Sequence, residues 1–226
     1  MFHDLINLFY PESCTICGSN LTKNEQVICV ICLHDIPVTN YHLDNDNPVK
    51  KVFNGRVEIE HACALLLFKK KGAVQKLIHE LKYKGRQDIG IFLGKWLGTE
   101  LAKTPEYKEV DLVIPVPLHK VKQRERGYNQ VEGFGKQIAL SLDAPYIDNV
   151  LLKTSLSKSQ TIKERFARWG SIEETLVMRN PELITYKHIL LVDDLITTGA
   201  TLEACANVLK KAPGIKISIA TMAYTG

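Results

Sequence analysis

Residues 188–201 read His-Ile-Leu-Leu-Val-Asp-Asp-Leu-Ile-Thr-Thr-Gly-Ala-Thr. Ile189 to Val192 is an uninterrupted apolar run, the pattern of a strand buried on both faces. Two carboxylates follow, then Thr197-Thr198-Gly199, then the helical pattern TLEACANVLKKA (201–212), stopped by Pro213-Gly214. A buried strand that turns at once into a helix restricts the chain to an α/β architecture. In open α/β sheets ligands sit at the carboxyl ends of the strands, where this turn lies.

The rest of the chain alternates in the same way. HACALLLF (61–68), VDLVIPVP (110–117) and KISIATMAY (216–224) suit strands, the second ended by its prolines. AVQKLIHELKYK (73–84) places Val74, Leu77, Ile78 and Leu81 on one helical face. IGIFLGKWLGTELAK (89–103) and QVEGFGKQIALSL (130–142) also read as helices. The expectation is a Rossmann-like, mainly parallel sheet with helices on both faces. Residues 37–55 hold two Pro, four Asn, two Asp and one Gly, and read as a linker or an excursion with turns. A length of 226 residues fits one medium domain with a small appendage.

The appendage is marked by Cys14-x-x-Cys17 and, eleven residues on, Cys29-x-x-Cys32. Two such pairs can offer four thiolates to one tetrahedral Zn²⁺, with no open position, so the ion would hold structure and not catalyse. The alternatives are a redox pair or four unrelated buried thiols. His34 is a spare ligand that a four-thiolate site does not need. Cys63 and Cys205 are isolated and carry no assignment. The N-terminus lacks a basic n-region, and no run approaches the roughly 20 apolar residues of a membrane span, so a cytoplasmic location is expected.

The turn itself suits an anion. Gly199 permits close approach and positive φ. The amides of Thr198 to Thr201 and the helix N-terminus can converge on one charge. The hydroxyls of Thr197, Thr198 and Thr201 can donate to phosphate oxygens. Asp193 and Asp194 accept hydrogen bonds, so vicinal hydroxyls beside a phosphate would satisfy both features; a ribose 5-phosphate is such a group. The net charge is only +4, but residues 69–86 carry seven Lys or Arg against one acid. Residues 118–168 carry ten against five, so the remainder is acidic on balance. Interleaved aromatics (Tyr83, Tyr128, Phe134, Phe166, Trp169) would give a basic groove stacking platforms for a single strand, or would simply be core. Ser159-Gln160-Thr161 with Arg165 falls in a polar stretch suited to a lid. His119 reads as an ordinary surface histidine.

Four apolar residues followed by Asp-Asp-x-x-Thr-Thr-Gly-x-Thr resemble the binding motif for phosphoribosyl pyrophosphate (PRPP) in type I phosphoribosyltransferases. PVPLH (115–119), RERGYNQ (124–130) and IHELKYKGR (78–86), in that company and after a four-cysteine module, resemble the ComF family, its competence branch. The resemblance implies a type I phosphoribosyltransferase fold: a four-cysteine zinc module over 1–40 and a phosphoribosyltransferase-like domain over 41–226, with hood elements in 55–105. It implies Asp193 and Asp194 as catalytic groups on the ribose hydroxyls. PRPP would also meet Leu195, Thr197, Thr198, Gly199, Ala200 and Thr201. Val116, Pro117, Leu118, His119 and Lys120 would form a pyrophosphate loop, to which Val116 and Leu118 offer amides. Lys82, Lys84, Arg86, Arg124, Arg126, Asn129 and Gln130 are candidate pyrophosphate or DNA contacts. The implied metal ligands are Cys14, Cys17, Cys29 and Cys32. The implied cofactors are structural Zn²⁺ and, with PRPP, Mg²⁺. The implied setting is natural transformation, with single-stranded DNA and DNA-uptake, helicase or recombination-loading proteins as partners. An active transferase with an unknown acceptor and a non-catalytic PRPP sensor are the alternatives.

Overall fold

The computed structural model describes residues 12–155 and 174–226. In chain order its main elements are α1 (Val30–Asp35), α2 (Pro48–Lys51), β1 (Ala62–Phe68), α3 (Ala73–Tyr83), α4 (Gln87–Leu101), β2 (Leu112–Pro115) and α5 (Lys120–Arg126). They continue with α6 (Glu132–Ser141), β3 (Leu151–Ser155), β4 (Glu174–Met178), β5 (His188–Ile196), α7 (Ala200–Leu209) and β6 (Lys216–Thr225). Four strands form a wholly parallel sheet in the order β1–β6–β5–β2. The expected strands and helices are therefore present, and β5 runs two residues past its carboxylates, to Ile196.

Alternation along the strands builds two cores. Ile189 and Leu191 join Leu112, Ile114, Ile217 and Ile219 beneath Leu202, Cys205 and Leu209 of α7. Leu190 and Val192 join Val113, Leu65 and Met222 beneath α3, α4 and α6. Each such side chain, fully buried, contributes roughly 1.5–3 kcal/mol, so the middle of β5 is anchored from both sides. The glycines within the helices mark close packing: a Cβ on Gly94 would lie 2.5 Å from the Phe134 carbonyl oxygen.

Residues 37–55 are an excursion with turns that folds onto the sheet, not a free linker. Thr39 and Leu67 amides donate to Leu65 and Pro37 carbonyls, which aligns the segment with β1. Val49 and Phe53 are buried. The buried Asn47 side chain donates to the carbonyls of Tyr41, Asp44 and Ala62 at 3.0, 2.7 and 2.8 Å. Two elements have no counterpart in the patterns of the sequence. Helix α5, KVKQRER, has a single apolar residue and so no periodic face. The antiparallel pair β3–β4 flanks the stretch read as polar (153–170), β3 overlapping its start and β4 following its end. Ser159, Gln160, Thr161, Arg165, Phe166 and Trp169 lie outside the described residues. Among the described residues no helix is long and apolar enough to cross a membrane.

Candidate functional site

The strand period of two sends Asp193 and Asp194 to opposite faces of β5. Asp194 is buried on the α3 side, where Lys82 Nζ lies 2.9 Å from its Oδ1. Its Oδ2 is buried without a hydrogen-bond partner. Asp193 Oδ1 accepts the Asp194 amide at 2.8 Å. Burial first, and the neighbouring Asp194 charge second, push the Asp193 carboxyl up to about 8, against the pull of that amide, Lys82 and Lys153.

Beyond them the chain turns at Gly199, whose φ of 73° is left-handed. Gly199 caps α7, and it does so without a side-chain cap. Thr197, Thr198, Ala200 and Thr201 line the surface around this turn, and Leu195 is half-buried. The Ala200 amide reaches Thr198 Oγ1 at 3.5 Å. Among the described residues, no acceptor within the chain meets the amides of Thr198, Gly199, Thr201 and Leu202. Such a run of open donors at a helix start is a ready anion cradle.

The PVPLH turn begins beside this site, because Pro115 pairs with Val192. One expectation fails here. The Val116 amide donates to Val192 O at 2.9 Å, continuing the β2–β5 ladder, so it is not open to a ligand. The ladder wins because a buried amide needs its partner. His119, read as a surface residue, is buried. The side chain of Lys120 lies outside the description. Tyr128-Asn129-Gln130, which has no generic chemistry, makes bonds within the chain. Tyr128 Oη donates to the Leu81 carbonyl, and Asn129 Nδ2 donates to Val116 O at 3.2 Å. Gln130 is buried, and its Oε1 accepts from Arg126 at 2.7 Å. A cavity of about 310 Å³ opens here between Pro117, Leu118, Asn129 and Lys153.

The basic candidates separate. Lys82 is held by Asp194, and Arg86 pairs with Asp88 at 2.7 Å. Lys84 and Arg124 are exposed. The Arg126 guanidinium lies 5.3 Å from the centre of the Tyr83 ring. Lys82, Tyr83, Lys122, Arg126 and Tyr128 line a second cavity of about 300 Å³. Phe134 is core, not a platform.

Cys14, Cys17, Cys29 and Cys32 bring their sulfurs within 4.8 Å of one another, and Cys17 and Cys29 sulfurs are 3.7 Å apart. Four sulfurs at about 2.3 Å from one ion would sit at nearly this spacing. All four cysteines are free thiols, so the cluster could hold a metal ion. Hydrogen bonds from Ser19 draw the Cys17 thiol down to about 6, which favours the ligating thiolate. His34 stays outside, exposed and paired with Asp35. Burial holds Cys63 and Cys205 up at about 12, as inert thiols. The module rests on α3, where Lys76 Nζ donates to Ile16 O at 2.9 Å.

Residues 132–226 match the model of the phosphoribosyl transferase domain. Competence protein F of Haemophilus influenzae is 32% identical over 141 residues, 60% of this chain and 61% of that one. Competence protein ComFC of Streptococcus pneumoniae is 30% identical over 146 residues, 65% and 61% of the two chains. The chain is thus similar to the ComF competence proteins, and its C-terminal part to the phosphoribosyl transferase domain. It aligns with less than two thirds of the length of these two relatives. The DNA utilization protein YhgH of Escherichia coli K12 is 23% identical over 201 residues, 87% of this chain and 83% of that one. Among solved structures, the adenine phosphoribosyltransferase of Trypanosoma brucei is 10% identical over 70% of this chain and 82% of that one, with TM-score 0.41. The matched domain contains Asp193, Asp194 and the Thr-Gly turn. Lys82 and the four cysteines precede it. Sequence reasoning missed the Lys82–Asp194 pair and, more completely, Arg56, whose guanidinium meets the turn at Thr198. Neither had a signal, since both partners lie far off in sequence.

Proposed function

We propose that the Asp193–Thr201 segment binds PRPP and that the chain works in natural competence, handling incoming single-stranded DNA. The single observation that carries the ligand is the buried Asp194 beside the half-buried Asp193 at the end of β5, ahead of open amides at the start of α7. The amides and hydroxyls of Thr197 to Thr201 would take the 5-phosphate. Asp193 and Asp194 would accept from the ribose hydroxyls, the latter through its unpartnered Oδ2 once the ligand displaces what covers it. The competence role rests on the relatives' names.

The donors fit a hard cation, because buried carboxylate oxygens sit beside the proposed diol. Mg²⁺, when bound, would neutralise the leaving diphosphate. If transfer occurs, the bond from C1 to diphosphate breaks as the acceptor bonds to C1. The carboxylates would then hold the ring and favour its developing positive charge. Leu118, Asn129 and the cavity beside them are the proposed diphosphate end. Arg124, Arg126, Lys84 and Lys122 are the proposed contacts to a nucleic-acid backbone, with Tyr83 beside them. Zn²⁺ is the proposed ion of the cysteine cluster.

Incubation of the zinc-loaded protein with PRPP, Mg²⁺ and candidate acceptors tests transfer through pyrophosphate release. Release that vanishes in Asp194→Asn supports an enzyme. PRPP binding without release supports a binding protein.

A further inference from the structure

Arg56 lies in the loop between α2 and β1, outside the matched domain, and nothing in its local sequence, Phe-Asn-Gly-Arg, marks it for chemistry. Its Nη1 donates to Thr198 O at 2.7 Å and to Val52 O at 3.1 Å, and its Nη2 pairs with Glu203 in the first turn of α7. The same loop crowds the turn from behind: a Cβ on Gly199 would lie 2.5 Å from Val52 Cγ1.

We infer that Arg56 is the positioning residue of the anion turn, setting the direction of the Gly199 amide and neutralising Glu203 behind it. The first part follows from peptide planarity. The Thr198 carbonyl and the Gly199 N–H belong to one trans peptide and point in opposite directions. A guanidinium that holds the carbonyl toward itself therefore turns the amide away from it, and among the described residues no acceptor meets that amide. The second part is electrostatic. Glu203 places a negative charge in the turn of α7 whose open amides would receive an anion. Its charge opposes the helix's attraction unless a cation offsets it. Arg56 is the cation in contact with it. A charge-assisted hydrogen bond to a carbonyl and a carboxylate pair, made by one rigid fork, suits arginine and not lysine.

The binding part of this inference rests on the reading of the turn as a phosphate site, so the test uses two measurements. The first needs no ligand. Amide exchange at Glu203, whose N–H donates to Gly199 O at 2.9 Å, reports the order of the turn. Arg56→Met should speed it about tenfold or more, while amides of β6 keep their rates. Unchanged exchange at Glu203 overturns the positioning role whatever binds there. The second is calorimetry with ribose 5-phosphate. Arg56→Met should weaken binding about tenfold. Arg56→Met with Glu203→Gln should recover part of that loss, a rescue that a merely loosened fold would not give. Equal affinity of Arg56→Met and the unsubstituted chain overturns the inference. Failure of the unsubstituted chain to bind ribose 5-phosphate, with exchange still faster in Arg56→Met, overturns the phosphate reading and the electrostatic part but leaves the positioning role standing.

Discussion

The cysteine cluster and the turn after β5 each gather polar groups to a point, by opposite means. In the cluster the convergent atoms are side-chain sulfurs on a segment with few core residues of its own, Cys14, Val27, Ile28, Cys29 and Ile36. In the turn they are backbone amides, aimed by a strand whose Ile189 to Val192 are fully buried. Four thiolates within 4.8 Å repel one another unless an ion joins them, whereas the turn keeps its shape from packing and from Arg56 behind it. On this account a metal would be part of one site's fold, while a ligand of the other would find its site already built.

That contrast is broken most readily by removing the metal. Chelation, or Cys17→Ser, should cost on the order of 5 kcal/mol and release the amides of residues 12–36 to exchange, while β5 and β6 stay protected. Zinc released on denaturation, measured by a chromogenic chelator, should reach one equivalent per chain. Loss of protection in both regions together would mean that the cluster organises the sheet as well. Next in size is Leu191→Ala, expected to cost about 3 kcal/mol in urea denaturation through the cavity it leaves. It should disturb the turn and spare the zinc content.

The two sites also separate by pH. The Asp193 carboxyl is raised from 3.8 to about 8, so between these values the unfolded chain has lost a proton that the folded chain keeps. The unfolded state binds fewer protons, so this group's contribution lowers stability as pH rises from about 4 to 8, with no further change above. The groups acting on it are Asp194, Lys82, Lys153 and the Cys205 thiol. Asp193→Asn should flatten the profile of urea midpoint against pH. Because ribose hydroxyls are best accepted by the ionised carboxylate, PRPP affinity should climb through the upper end of this window. The smallest effect concerns the basic face. Arg126→Gln should reduce the salt slope of single-strand binding by about one, and an unchanged slope would remove Arg126 from that surface.

How much of this was legible follows the range of each interaction. The β5 turn is written in consecutive residues, and the cysteine cluster in two short spacings, so both could be read directly. Helix α5 has one apolar residue and no period to read. Val116 looked available because its sequence neighbours are prolines, but the ladder to Val192 claims its amide. Arg56 and Thr198 are 142 residues apart and meet only because an Asn- and Pro-rich segment folds back onto the sheet. Lys82 read as one charge in a basic run, and only the packing of α3 against β5 turns it into the partner of Asp194.

Titration of the zinc-loaded protein with PRPP and Mg²⁺, beside Asp194→Asn under the same conditions, decides whether the turn after β5 holds a sugar phosphate. The unsubstituted protein should bind one PRPP per chain. Asp194→Asn should lose about 100-fold or more in affinity, since a buried acceptor of the sugar is replaced by an amide. Equal heats in the two proteins, or none in the unsubstituted one, would contradict the assignment.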